Sequence, residues 1–191
     1  MWRIAQRERI SAEEAKAPLF LVEFNLNISD IKKARDSRDY ERALAGCEDM
    51  LSSGDNPDVL RLRASIHFLA GSGQSSFDDY KLLISWGANE VKDFFLAANS
   101  ALFINEYALA CEWLESVLEA GGRTGNHAFD NAALLMLAFA KMNIHAYGEA
   151  WGLVLKLEAS SPNISLPVPH NGQTPMLTLS DLRSEIRRRH Q

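Results

Sequence analysis

The chain has 191 residues, 47% hydrophobic and 24% charged, a composition that suits one globular domain and excludes wholesale disorder. Twenty Lys and Arg against 25 Asp and Glu leave a net charge of −5, which argues against nucleic acid as a partner. The longest unbroken apolar run, 132–140, is about half a membrane span, and no leader follows Arg3, Arg7 and Arg9, so the chain reads as cytoplasmic, with no membrane partner.

Two cysteines, Cys47 and Cys111, stand far apart without a Cys-x-x-Cys, as expected of thiols in a reducing compartment. The two ends are basic, with Arg187, Arg188 and Arg189 at the second, whereas 64–121 holds eight acids against Lys81 and Lys92.

In chain order, Ser11-Ala12-Glu13-Glu14 is a capping box whose helix meets Pro18 within two turns. Over 20–28 apolar residues then alternate with their neighbours. Three readings fit: a strand joining the two ends in a small sheet, a segment lying along helices, or a helix of misread period. Ser29–Arg38 is a short charged helix, and Tyr40, Ala43, Cys47 and Met50 trace one face of the next. Gly54 stops it, and Asn56-Pro57-Asp58 starts another with a cap and an N1 proline. Phe77, Tyr80, Ile84 and Gly87 repeat the face poorly, after an insert, Gly71 to Ser76, that breaks the spacing.

Asn89-Glu90 then opens a helix over 91–104. Tyr107, Ala110, Leu114 and Val117 give a clean face that Gly121-Gly122 ends. The run 131–144 and the face Tyr147, Ala150, Val154 and Leu157 follow, closed by Ser160-Ser161-Pro162. Beyond, 164–169 and 176–179 flank His170-Asn171-Gly172-Gln173, where Asn-Gly predicts a hairpin and Pro167, Pro169 and Pro175 confine any strand to an edge. Ser180 is the expected cap of a last short helix.

The four aromatics Tyr40, Phe77, Tyr107 and Tyr147 recur at intervals averaging about 36 residues, the period of a helix-pair repeat. The pattern resembles the tetratricopeptide repeat (TPR) over about 30–162. Ala98, Ala101, Tyr107, Ala110, Leu114 and Val117 match its spacing in the third unit, and Leu137, Ala138, Tyr147, Ala150, Val154, Leu157 and Pro162 match it in the fourth. The fold class expected is therefore all-α, an antiparallel helix-pair solenoid, with a short extended segment or small hairpin formed by the chain ends. The expected division is an N-terminal segment 1–29, a repeat domain 30–162 and a C-terminal loop and short helix 163–191.

Catalytic and cofactor chemistry finds no motif. His67, His127, His145, His170 and His190 lie far apart with no metal-ligand spacing. Cys111, with His67 or His145 as its only candidate base, reads as a buried small hydrophobe. Neither Gly71-Ser72-Gly73 nor 121–125 has the residues of a phosphate cradle. No enzyme, metal or cofactor is expected.

The resemblance implies a concave groove lined by the first helix of each unit. It places Asp58, Arg61, Ser65 and Phe68 there from the second unit, and Lys92, Phe95, Asn99 and Leu102 from the third. Ala132, Leu135, Phe139 and Met142 follow from the fourth. It further implies a non-catalytic adaptor or chaperone, like the small TPR chaperones of bacterial secretion systems, that holds a protein or peptide segment. The other occupant weighed is the chain's own first 28 residues. An alternative job is an immunity or inhibitor protein that neutralises a basic partner through Glu112, Glu115 and Glu119, which share one helix face. Pairing of two copies stays open.

Overall fold

A computed structural model describes residues 26–190, and the alternation expected over 20–28 lies mostly outside them. The described residues form eight helices in four antiparallel pairs, then a hairpin and a ninth helix. The pairs are α1 (Ile28–Asp36) with α2 (Tyr40–Ser52), α3 (Pro57–Leu69) with α4 (Gly73–Ser85), α5 (Val91–Phe103) with α6 (Tyr107–Thr124), and α7 (Asp130–Asn143) with α8 (Tyr147–Ser160). Each helix packs on the next, so the all-α helix-pair solenoid expected from the repeat is present.

Each pair is closed by the same device. Three residues separate the two helices, and the middle one, Arg38, Gly71, Asn105 or His145, has φ between 64° and 78°. Such a left-handed residue turns the chain back within one step, and the recurrence at non-glycine positions marks the turn as fixed by packing on both sides. Caps set several starts: Asn56 Oδ1 accepts from the backbone of Asp58 and Val59 at 3.1 and 3.2 Å, with Pro57 in the first turn of α3.

The turns correct the expected register in the second unit. Gly71 to Ser76 is no insert, because α4 begins at Gly73, which stands where Tyr40, Tyr107 and Tyr147 open their helices. The spacings are then 33, 34 and 40 residues. Gly73 replaces an aromatic because a Cβ there would run into the Phe103 ring, which fills the space from α5. Nor does Gly121-Gly122 end α6, which continues to Thr124 and is capped by Gly125 at φ 72°.

The C-terminal residues fold onto the stack. Strands β1 (Ser165–Pro167) and β2 (Met176–Thr178) pair antiparallel, with Leu166 opposite Leu177, and a His170–Gln173 bridge closes the Asn-Gly turn. Helix α9 (Leu179–His190) is capped by Thr178 rather than Ser180: the Thr178 hydroxyl accepts from the Asp181 amide at 3.0 Å and donates to its carboxylate at 2.6 Å. Leu179, Leu182 and Ile186 of α9 join Leu135, Met142, Val154 and Leu157 in one core cluster. Helix α9 thus lies on α7 and α8 as α5 lies on α3 and α4, in the place a further repeat would take. No helix among the described residues is long and apolar enough to cross a membrane.

Candidate partner-binding groove

The first helices α1, α3 and α5 enclose an open trough of about 550 Å³. Helix α1 supplies Ile28, Lys32 and Arg35, α3 supplies Asp58, Arg61, Leu62 and Ser65, and α5 supplies Lys92 and Leu96. Heptad-like spacing on α3 (58, 61, 62, 65) turns one stripe of that helix into the trough wall. From the second helix of the middle pair, Tyr80 completes the lining.

Two arginines on α3 hold the walls together. Arg61 forms a fork on Asp93 at 2.6 and 2.9 Å and meets Asp58 at 2.7 Å, tying α3 to α5, and Asp93 is fully buried. Arg63 makes the matching fork on Asp79 of α4, at 2.9 and 2.6 Å. Bidentate charge-assisted bonds of this kind fix geometry as well as charge, and they raise both arginines' affinity for their protons. Lys32 and Lys92 are exposed, with no ion pair to any of the described residues. Among the described residues the trough wall therefore presents two ammonium groups without an ion pair beside an arginine committed to the fold.

Tyr80 is 1% exposed, yet its hydroxyl finds no hydrogen-bond partner among the described residues. Burial pushes its phenol well above the ordinary tyrosine range, with Asp93 adding and Arg61 opposing. It is thus a neutral hydroxyl, able to donate or to accept, buried behind the trough wall.

The other half of the inner face is occupied by the chain itself. Val168 is buried in the core that α5, α6 and α7 share, and Leu166 and Leu177 pack beside it. The hairpin tip is fastened at three points: Gly172 N donates to Phe103 O at 2.9 Å, His170 stacks edge-on to Phe139 at 5.4 Å, and Asn171 bonds Asn105. The last contact belongs to a closed cycle. Asn105 Nδ2 donates to Asn171 Oδ1 at 2.7 Å, and Asn171 Nδ2 meets His170 Nε2 at 2.8 Å. His170 Nδ1 meets Tyr107 Oη at 2.7 Å, and Tyr107 donates to Asn105 Oδ1 at 2.8 Å. The Asn171 backbone amide also donates to Asn105 Oδ1, at 3.2 Å, which fixes which way both amides point. Only a neutral imidazole protonated at Nδ1 closes this cycle with every donor facing an acceptor.

The expected groove residues accordingly divide. Arg61 and Lys92 line the trough together with Asp58 and Ser65. Leu102, Leu135 and Met142 do not face a groove: they are buried, the last two under α9. Asn99 is nearly buried and donates its amide to Phe95 O of its own helix at 2.7 Å. Phe95 stacks on Phe129 at 4.6 Å, and Phe68 meets the Phe103 ring edge-on at 5.7 Å. Phe139 meets the hairpin through His170, so among the described residues the C-terminal segment covers this half, and the expected cover by the first 28 residues lies mostly outside them. Lys32, Arg35 and Tyr80 were missed. The first two follow from extending the repeat register back into α1, while Tyr80 sits on a second helix, where the repeat pattern predicts core.

Among the acids of the alternative face, Glu112 and Glu119 are exposed, but Glu115 shares Lys141 with Glu149, at 2.9 and 2.8 Å. That lysine draws charge from the middle of the face. Both cysteines are buried and free, their thiols pushed up to about 11 by burial, the condition of inert packing groups rather than nucleophiles. No group of His, Cys, Asp and Glu among the described residues is arranged to hold a metal ion.

No protein-family model and no curated sequence matches the chain. Solved structures do. A crystal structure of MamA superposes with a TM-score of 0.61 at 14% identity, over 72% of this chain and 76% of that one. YrrB, described as a TPR protein with an unusual peptide-binding site, superposes with a TM-score of 0.60 at 16% identity, over 71% of this chain and 67% of YrrB. With four helix pairs closed by one recurrent turn, the chain has the fold of the tetratricopeptide-repeat proteins.

Proposed function

We propose that this protein is a non-catalytic interaction module, an adaptor or chaperone, that takes an extended segment of a partner protein along the trough formed by α1, α3 and α5. The observation that carries this reading is the asymmetry of the inner face: one half is covered by the chain's own hairpin, while the other is an open trough whose α3 and α5 walls are tied to each other by the Arg61–Asp93 fork. A braced, open concavity of about 550 Å³ suits an extended segment, since the site is formed in advance and ordering costs fall mainly on the ligand. The peptide-binding site described for YrrB, on a like fold, supports the same kind of partner.

A photo-crosslinking residue placed at Ser65, in the trough, and separately at Leu155, exposed on α8, tests this in the native cell. Discrete crosslinked partners are expected from Ser65 and not from Leu155. Crosslinks from Leu155 alone would overturn the trough as the binding site.

A further inference from the structure

The second helices of the four pairs share one register, in which Tyr40, Gly73, Tyr107 and Tyr147 come first. Their second, fifth, sixth and ninth positions form a stripe at i, i+3, i+4 and i+7 along one side of each helix. On α2, α4 and α6 that stripe carries charge: Glu41 and Glu48, Asp78 and Lys81, Glu112 and Glu115. On α8 it is Gly148, Trp151, Gly152 and Leu155, uncharged throughout, with Trp151 half-buried and Leu155 50% exposed.

The fifth position of this register is covered by the following second helix. In α4 it is Phe77, buried against Trp113 of α6 with ring centroids 5.6 Å apart. In α6 it is Cys111, 4% exposed, in the core cluster that Leu153 of α8 joins from the same position as Trp113. In α8 it is Trp151, and among the described residues only α9 follows. The Arg187 guanidinium lies over the Trp151 ring, 5.0 Å from its centroid, and a hollow of about 360 Å³ stays open beside it between α8 and α9. Gly148 lines that hollow together with Tyr147 and Ile186. Glycine in a helix interior costs about 1 kcal/mol relative to alanine, yet a Cβ at Gly148 or Gly152 would meet nothing among the described residues. Their bare backbone suits the close approach of a helix from outside.

The stripe is complementary to itself. A two-fold axis crossing α8 at right angles, level with the step from Trp151 to Gly152, brings Trp151 of one copy opposite Gly152 of the other and Leu155 opposite Gly148. Each large side chain then faces a glycine. Charge agrees along one flank, where exposed Lys156, with no ion pair among the described residues, comes close to Glu149 of the second copy. We infer that this protein forms a two-fold dimer in which the α8 helices of two copies pack antiparallel along this stripe, Leu155 of each entering the hollow beside Gly148 of the other. An isologous contact of this kind closes at two copies, and it leaves the trough between α1, α3 and α5 open in both.

Sedimentation velocity of the full chain from about 1 to about 100 μM tests this. A species of twice the chain's mass that dissociates on dilution is expected. Leu155→Glu should weaken the dimer about a hundredfold or more, because it sets a carboxylate in the hollow, and should leave the far-ultraviolet circular dichroism unchanged. Gly152→Gln, a better helix former at an open position, should weaken it as well by filling the notch that Trp151 of the second copy needs. In the purified chain a photo-crosslinking residue at Leu155 should attach to 147–152 of the second copy. In the cell it then yields the doubled chain as its single product and no foreign protein. A chain that stays monomeric at about 100 μM, or a dimer that both substitutions leave intact, would overturn the inference. So would Leu155 crosslinks that land on α1, α3 or α5 of the second copy, or on a different protein, which would give the face another occupant.

Discussion

The two halves of the inner face start from the same repeat positions and reach opposite ends. Toward the N-terminus, the stripe on α3 faces solvent across charged neighbours, and its arginine is spent on bracing α5. Toward the C-terminus, the equivalent stripe on α7 is apolar and disappears under a hairpin and α9. A repeat position therefore fixes the direction in which a side chain points, and the segment that covers it decides whether it becomes core or binding surface. The difference follows from local hydrophobicity: an apolar stripe recruits cover because burial gains about 25 cal/mol per Å², whereas the Asp58, Arg61 and Ser65 side chains of the α3 stripe gain nothing by being covered.

The largest effect expected on this contrast comes from the brace. Asp93→Ala leaves Arg61 without its fork at a partly buried site, and the chain should lose about 3 kcal/mol of stability, read as a shift of the urea midpoint. Arg61 keeps Asp58, which lies in solvent, so the loss is smaller than for a fully enclosed pair. An unchanged midpoint would mean that the trough is not braced by this pair. A smaller effect of opposite sign is expected behind the trough wall. Tyr80→Phe removes a buried hydroxyl that has no partner and should stabilise the free protein by about 1 kcal/mol in the same measurement. Loss of stability instead would show that the hydroxyl is already satisfied in the free chain.

Much of this architecture is legible in the sequence, and the misses have definite causes. The helices of the third and fourth pairs follow from Tyr107 and Tyr147 with their small residues at helical spacing, because local periodicity suffices to mark an amphipathic helix. Gly73 hides the second pair, since its aromatic is replaced by Phe103, thirty residues on, and no local pattern reports a ring supplied from elsewhere. The Asn-Gly hairpin is readable as a turn, but its landing place on Phe103 and Asn105 is not, because that depends on contacts across more than sixty residues. The same limit explains the groove. Arg61 and Lys92 emerge from repeat register alone, whereas Leu135 and Met142 are misplaced because α9, which buries them, lies outside the repeat.

The smallest effect separates the halves by pH. Burial, aided by the positive charge of Arg189, holds the His170 imidazole below its ordinary value of about 6.5, and the cycle through Tyr107, Asn105 and Asn171 closes only around the neutral ring. Protonation at Nε2 would set a donor against the Asn171 amide, whose orientation is fixed by the bond from Asn171 N to Asn105. With the folded value depressed, the unfolded or undocked state takes up the proton first. The docking contribution is thus complete above about pH 6.5 and is lost as the pH falls toward the folded value. Amide hydrogen exchange at Gly172, whose N–H is held by Phe103 O, should accelerate relative to intrinsic exchange between pH 7 and pH 5. The helices that bound the trough should keep their protection over the same range. His67, also lowered by burial, lies on α3, so faster amides in α3 rather than at Gly172 would assign the acid effect to His67 and not to His170. In His170→Gln the acceleration should vanish, because no titrating group then remains in the cycle. Uniform loss of protection across both halves would mean that the hairpin is not a separate unit and that acid acts on the whole stack.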